Sequence, residues 1–348
     1  MISIVAFTAK GCVLAEKIAG VLKDRDCKVF SKTQSESADT AKIEGSLSEW
    51  TVKAMETSEA VVFVSATGIA VRMIAPYVKD KKKDPAVVCL DDNGRFVISL
   101  LSGHVGGANR LASEIASAIG AVPVITTATD VNGKFAVDQF AAENGMRFRG
   151  KRIAKEIASK LLDGKTVGFV SDYPVEGGLP AGISEKRDHD TGILISSEYE
   201  PELPFKDTLV LVPEDHVVGI GCKKDIPYEN VHSLFCDTLK KLDISPDSVR
   251  VIASIDLKED ETALKELCRE FGLPSVFFTA DELNSMENIG FSGSDFVRSV
   301  TSVDCVCERS AVKASKDGKL ILKKTSKDGV TIAVVKEDFK IIFKEGNR

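Results

Sequence analysis

Short, almost wholly apolar runs recur along the first third of this chain: ISIVAF (2–7), AVVFVS (60–65), AVVCLD (86–91), FVISLL (96–101) and VPVIT (122–126). Runs of this length read as strands, and the near-absence of polar alternation predicts burial on both faces of a sheet. Between them the period changes to that of a helix. GCVLAEKIAGVLKD, from Gly11, sets Leu14, Ile18, Val21 and Leu22 on one side, and a second helix follows GHVGG and runs to about Ile119. Gly68 opens a short helix that Pro76 ends, and Asp92-Asn93-Gly94 between two strands predicts a hairpin. Strand–helix alternation of this kind predicts an α/β domain over residues 1–130.

The texture changes after Thr126. TATDVNGKFAVDQFAAENGMRF is polar and turn-rich, KRIAKEIASKLLDG reads as a helix, and TVGFVS and TLVLVP read as strands around a loose stretch at 172–206. Residues 131–215 are therefore expected to form a small middle module or linker. HVVGIGCKKDIPYENVHSLFCDTLKKL then predicts a strand, a tight glycine turn, and a helix with Pro227 near its first turn. VRVIASI, a helix over 259–271, SVFFT, a helix near 293–301 and TIAVVK continue the alternation over 216–348. The expected fold class is α/β in three modules: N-terminal and C-terminal α/β domains, their sheets flanked by helices, joined by the small middle module.

Composition narrows the function. The chain has 348 residues, 43% hydrophobic and 28% charged, with a formal net charge of −6. That balance suits a soluble protein and disfavours a general nucleic-acid binder. No apolar stretch reaches the roughly 18 residues of a membrane helix, and MISIVAF lacks the flanks of a secretory leader. Eight scattered cysteines make no disulfide framework, and the Cys305/Cys307 pair has no partner pair at metal spacing. A cytoplasmic location, with reduced thiols and no bound metal, is expected.

Two glycine turns carry candidate chemistry. In Ser102-Gly103-His104-Val105-Gly106-Gly107-Ala108-Asn109-Arg110, glycines precede a helix start, where unpaired N–H groups and the positive dipole end favour an anion or a developing oxyanion. The same dipole favours a neutral His104, the form a general base needs; a packed structural histidine fits the spacing equally. Gly219-Ile220-Gly221-Cys222-Lys223-Lys224 reads as a second anion cradle, although Lys224 replaces the third glycine of a dinucleotide fingerprint. Cys222 is either an activated thiolate or an inert packed thiol. Thr67, Gly68 and Arg72 follow a strand, where Arg72 either meets a carboxylate or is a surface residue. DGKT (163–166) lacks the first Walker glycine, GFSGS (290–294) misses the nucleophile-elbow spacing, and KDKKK (79–83) reads as a solvated turn.

Four segments, in this order, resemble the cobalt-precorrin-5A hydrolase family of anaerobic cobalamin biosynthesis. They are SATGIAVRMIAPYVKDKKKDPAVVCLDDNGRFVISLLSGHVGGANRLASEIA, VVGIGCKK, VRVIASIDLKEDE and FVRSVTSVDCVCERSAVKAS. The resemblance covers the chain from about residue 50 to its end, less well across 131–215. One departure is Asp225, where the family turn usually continues with glycine. The resemblance implies opening of the ring-A acetate lactone of cobalt-precorrin-5A, and release of C20 with its methyl group as acetaldehyde. It implies no cofactor beyond the cobalt that the substrate carries, and a small-molecule cobalt tetrapyrrole polycarboxylate as partner, with no nucleic acid and no membrane. On that reading Gly106 and Gly107 stabilise the oxyanion and His104 moves a proton. Thr67, Gly68, Arg72, Ser102, Gly103, Asn109, Arg110, Gly219, Gly221, Cys222, Lys223 and Lys224 hold the substrate. A cleft between the first and third modules is the expected location, and a homodimer is compatible with the sequence. Two other readings use the same turns: a corrinoid carrier without chemistry, and an enzyme that holds phosphate in both.

Overall fold

ISIVA, AVVFV and AVVCL form the centre of a seven-stranded sheet in which all their residues are buried. The computed structural model describes residues 1–32, 39–80, 83–103, 106–127, 135–286 and 290–343. The chain divides into two compact units, residues 1–139 and 140–348.

In the first unit the elements are β1 (Ile2–Ala6), α1 (Ala9–Val21), β2 (Cys27–Ser31), β3 (Thr40–Lys42), α2 (Leu47–Thr57), β4 (Ala60–Val64), α3 (Thr67–Ile74), β5 (Ala86–Leu90), β6 (Phe96–Leu101), α4 (Ala108–Ile119) and β7 (Val122–Val124). The sheet order is β3-β2-β1-β4-β5-β6-β7. Helices cover both faces, which explains the uninterrupted apolar runs. Ile4, Val62 and Val88 pack with Ile18, Leu111 and Ile115 on one side; Val5, Phe63 and Val87 pack with Ala54, Ala70 and Ile74 on the other. β1 to β5 are parallel neighbours, but the hairpin reverses β6, placing Leu101 beside Val87 and Val97 beside Leu90. Asp91 makes that hairpin by accepting the N–H groups of Asn93, Arg95 and Phe96, with Gly94 at φ +64°.

The second unit contains two five-stranded sheets and a two-stranded one. After α5 (Val137–Glu143), the middle module has β8 (Met146–Arg149), α6 (Lys151–Leu162), β9 (Val167–Ser171), β10 (Val175–Glu176), β11 (Ile183–Ser184), β12 (Thr191–Ile195) and β13 (Asp207–Pro213). Its five strands run β11-β9-β12-β13-β8, with only β8 antiparallel to its neighbour. The loose stretch at 172–206 supplies two strands of this sheet, β11 and β12, as well as β10. Gly168 and Gly192 lie side by side on β9 and β12, and the Phe205 ring occupies the space their side chains would need.

The C-terminal module has β14 (His216–Cys222), α7 (Tyr228–Lys241), β15 (Val249–Ile255), α8 (Thr262–Phe271), β16 (Ser275–Phe278), α9 (Ala280–Asn284), α10 (Asp295–Thr301), α11 (Val306–Ala314), β17 (Lys319–Lys327), β18 (Val330–Lys336) and β19 (Ile341–Ile342). Its sheet order is β16-β15-β14-β18-β17; β14, β15 and β16 are parallel, and β18 is antiparallel to both neighbours. β19 pairs with β10, returning the chain to the middle module. Three α/β modules result.

Candidate functional site

The reversal of β6 decides where the first glycine turn sits. In a doubly wound sheet ligands gather at the carboxyl ends of the parallel strands. The Gly103–Arg110 turn follows β6 and so lies at the opposite edge, where Ser102 Oγ donates to the carbonyl of Asp84 at 3.0 Å, just before β5. The turn is tight. Ser102 stands at φ +56° and Gly107, the N-cap residue of α4, at φ +83°. The N–H groups of Ala108 and Asn109 are taken by the carbonyls of Ser102 and Gly103 at 3.1 and 3.0 Å.

Two of the donors at the helix start are therefore spent on the loop. Among the described residues no acceptor is placed for the amides of Gly106, Gly107 and Arg110. The exposed Arg110 guanidinium folds back over Gly107, with Nη2 3.8 Å from where its Cβ would be. Asn109 is buried and donates to Thr127 Oγ1 at 3.0 Å, bracing the turn from inside. His104 and Val105 lie outside the described residues.

Thr67, Gly68 and Arg72 do not join this turn. They follow β4 and begin α3 at the carboxyl edge, where Thr67 Oγ1 meets Cys89 Sγ at 3.9 Å and Arg72 donates to the carbonyl of Gly68 at 3.5 Å. A five-residue strand of about 16 Å separates the two edges. The sequence named both as substrate contacts; the hairpin at Asp92-Asn93-Gly94, which reverses β6, puts them at opposite ends of the sheet.

The second expected cradle is also rearranged. Gly219 and Gly221 are not in a turn; they lie inside β14, and Gly219 pairs with Ala253 on one side and Ala333 on the other. Their backbones are part of the sheet, so they form no phosphate or carboxylate cradle. Close approaches explain both glycines: a Cβ on Gly219 would stand 1.9 Å from the carbonyl oxygen of Cys307 on α11, and one on Gly221 2.7 Å from Oγ1 of Thr331 on the neighbouring strand β18. The turn itself begins at Lys223, whose N–H is donated to the carbonyl of Gly329 at 3.0 Å, and Asp225 adopts φ +54° within it. That backbone is one glycine adopts more readily than aspartate. Cys222 is not an activated thiolate: burial raises its pKa from 9.0 to about 11, against a smaller opposing pull from Lys258.

What the C-terminal module does build is a pocket of about 860 Å3 at the carboxyl ends of β14 and β15, the edge where α/β sheets take ligands. Its apolar wall is Ile255, Leu257, Val297, Val300, Val306 and Val330. Leu257 and Val300 are 64% and 65% exposed, unusual for large aliphatic residues at a cavity mouth. Lys223, Lys224, Lys258, Lys324 and Lys327 line it as well, against Asp225, Asp260, Glu261 and Asp328. Lys265 neutralises Asp260, Lys258 pairs with Glu261, and Lys327 pairs with Asp237. Among the described residues no carboxylate is in ion-pair range of Lys223, Lys224 or Lys324. The opposite wall is anchored by Glu308, fully buried, which accepts from Ser292 N and Oγ and from Lys324 N at 2.7, 2.8 and 2.6 Å.

Sequence reasoning found Lys223 and Lys224 here but missed Leu257, Lys258, Val300 and Lys324. The available signal was position: IDLKEDE follows a parallel strand directly beside the one bearing GIGCKK.

Comparison with known proteins covers all three modules. The family profiles "Cobalamin synthesis G N-terminal", "Cobalamin biosynthesis central region" and "Cobalamin synthesis G C-terminus" match residues 49–130, 135–213 and 216–335. The cobalt-precorrin-5A hydrolase of Salmonella typhimurium is 34% identical over 345 residues, covering 96% of this chain and 97% of that protein. The enzyme of the same name from Priestia megaterium is 30% identical over 352 residues, covering 95% and 94%.

Proposed function

The chain belongs to the cobalt-precorrin-5A hydrolase family, and on that premise we propose that it uses water to open the ring-A acetate lactone of cobalt-precorrin-5A, releases C20 and its methyl group as acetaldehyde, and leaves cobalt-precorrin-5B. The observation that carries this reading is the end-to-end match at 34% identity, which leaves no module unaccounted for. The cobalt is cargo of the substrate in this reading, not a resident cofactor.

The C-terminal pocket suits the tetrapyrrole. An apolar wall faces the macrocycle, and the lysine side chains at its rim meet the peripheral carboxylates. Its volume lies within the range of small-molecule sites. Ring-A lactone opening passes through a tetrahedral oxyanion, and the amides of Gly106 and Gly107, with the Arg110 guanidinium beside them, are the donors assigned to it. Water activation, or removal of the proton whose loss expels acetaldehyde, falls to His104. Thr67, Gly68 and Arg72, at the far sheet edge, take no part in that turn.

The test is incubation of the purified full chain with cobalt-precorrin-5A and enzymatic assay of acetaldehyde. Stoichiometric acetaldehyde supports the reading. Tight binding with no release overturns it in favour of a carrier.

A further inference from the structure

The pocket holds one charged pair that the glycine turns do not explain. Lys258 closes the short turn Asp256–Lys258 directly after β15, and its side chain is only 12% exposed. Its ammonium lies 3.3 Å from Glu261 Oε2, on a carboxylate side chain 6% exposed. Glu261 is itself held in place: it is the N-cap residue of α8, and its Oε1 accepts the N–H of Ile226 at 3.2 Å. The acid therefore has a fixed position and fixes the ammonium in turn.

An ammonium carries three donors, and Glu261 uses one. Buried donors are satisfied in folded proteins, and Lys258 lines the pocket, where a ligand's acceptor can reach it. Of the acids that line the pocket, Glu261 is the one in ion-pair range of Lys258 among the described residues; Asp260 is taken by Lys265, and Ile255, Leu257 and Val297 present hydrocarbon. The flexible lysines at the rim meet anions in high dielectric, where a pair contributes little. A largely buried ammonium on a rigid partner is different: charge-assisted bonds there are strong and geometrically selective.

We propose that Lys258, positioned by Glu261, is the specificity-determining residue of this pocket: with the macrocycle against Leu257, Val297 and Val300, it takes one free peripheral carboxylate and discriminates against the neutral amide at the same place. This rests on the reading that the substrate is a cobalt tetrapyrrole polyacid. An amide opposite the ammonium offers an uncharged acceptor and two N–H donors that face another donor, so it loses the ionic contact and gains a clash of polarity.

The experiment uses the full chain and two probes: a cobalt corrinoid with all peripheral carboxyls free, and the same corrinoid fully amidated. Dissociation constants come from calorimetric titration. The wild-type protein is expected to bind the acid at least tenfold tighter than the amide. Lys258→Gln lowers that ratio about tenfold and Lys258→Arg preserves it within a few-fold. The pair Lys258→Met with Glu261→Gln, which leaves no buried charge unpaired, lowers it as Lys258→Gln does and guards against a folding defect. A wild-type ratio near one, or a ratio in both neutralised variants within twofold of wild type, overturns the proposal. Acetaldehyde release by wild-type protein is scored separately. Release with an unchanged ratio sinks the role of Lys258 and leaves the hydrolase reading standing; no release with a changed ratio does the reverse.

Discussion

Gly219 meets the carbonyl oxygen of Cys307 so closely that a Cβ at 219 would stand 1.9 Å from it. The neighbouring carbonyl carbon and Ala311 Cβ would be 2.8 and 2.9 Å away. The helix α11 thus lies against β14 at backbone distance, and its first residue, Val306, becomes part of the pocket wall. Gly219→Ala must push backbone, not a flexible side chain, so destabilisation is expected at or above the usual overpacking range of about 1–3 kcal/mol. Thermal unfolding checks this. A variant that melts with the wild type would show that α11 can lift away at little cost.

Gly106 tests the other turn. A Cβ there would be 2.3 Å from Ser102 Cβ and 2.8 Å from the Ser102 carbonyl oxygen, while Ser102 is tied to Asp84. Gly106→Ala therefore displaces the loop and its amide donors. Loss of one oxyanion donor typically lowers rate about 10²–10³-fold. A fall of that size in kcat is expected, with corrinoid affinity of the C-terminal pocket unchanged. Steady-state acetaldehyde formation beside a corrinoid titration separates the two; kcat within threefold of wild type would remove the turn from the chemistry.

Asp225 places a carboxylate at the mouth of a pocket proposed to receive a polyacid, on a backbone at φ +54°. Asp225→Gly relieves a left-handed conformation costing about 1–2 kcal/mol and gives back part of that through the unfolded chain's greater freedom. The melting temperature should move by only a few degrees. Affinity for a carboxylate-bearing corrinoid should rise about two- to fivefold, an effect expected to fade in high salt. Weaker binding by the variant would mean that Asp225 contacts the ligand favourably.

Cys222 supplies a pH test. Burial pushes its thiol from 9.0 up to about 11. Because the folded value is the higher one, its contribution to stability is fully present below pH 9 and is lost as pH climbs from 9 through about 11. Between pH 6 and 8.5 the thiol stays protonated, so turnover by Cys222→Ser should follow the wild-type pH profile throughout that interval. Alkylation of Cys222, followed by peptide mass analysis, should be slow at pH 8 and accelerate only towards pH 11. Rapid labelling at pH 7 would restore the activated-thiolate reading that the structure replaces.

Much of the first unit was legible in the residues themselves. A strand covered by helices on both faces admits only apolar side chains, so ISIVA, AVVFV and AVVCL announced a wound sheet. The Asp-Asn-Gly sequence announced the hairpin through local hydrogen bonding alone. In the middle module the signal was weaker: two of its strands span only two residues each, and Gly168 and Gly192 serve a ring, Phe205, distant in sequence. The helix α11 and the strand β17 were also hidden. α11 carries buried Glu308, Arg309 and Ser310 where an amphipathic pattern would place apolar residues, and β17 is a largely exposed edge strand rich in lysine.

Site placement depended on tertiary structure for a common reason. A glycine between apolar neighbours reads alike whether it frees a turn or admits a helix, and only the approach of Cys307 shows that Gly219 does the second. The hairpin read from the sequence already reversed β6, but only the order of the strands in the sheet shows that this leaves Gly106 and Gly107 at one sheet edge and Arg72 at the other. The sequence alone determined the periodicities, the hairpin and the residues able to donate to an anion. Which of those donors remain open, and the meeting of Lys258, Leu257 and Val300 in one pocket, were set by how distant segments pack, because a pocket is a property of strand ends and helices brought together, not of any one stretch of chain.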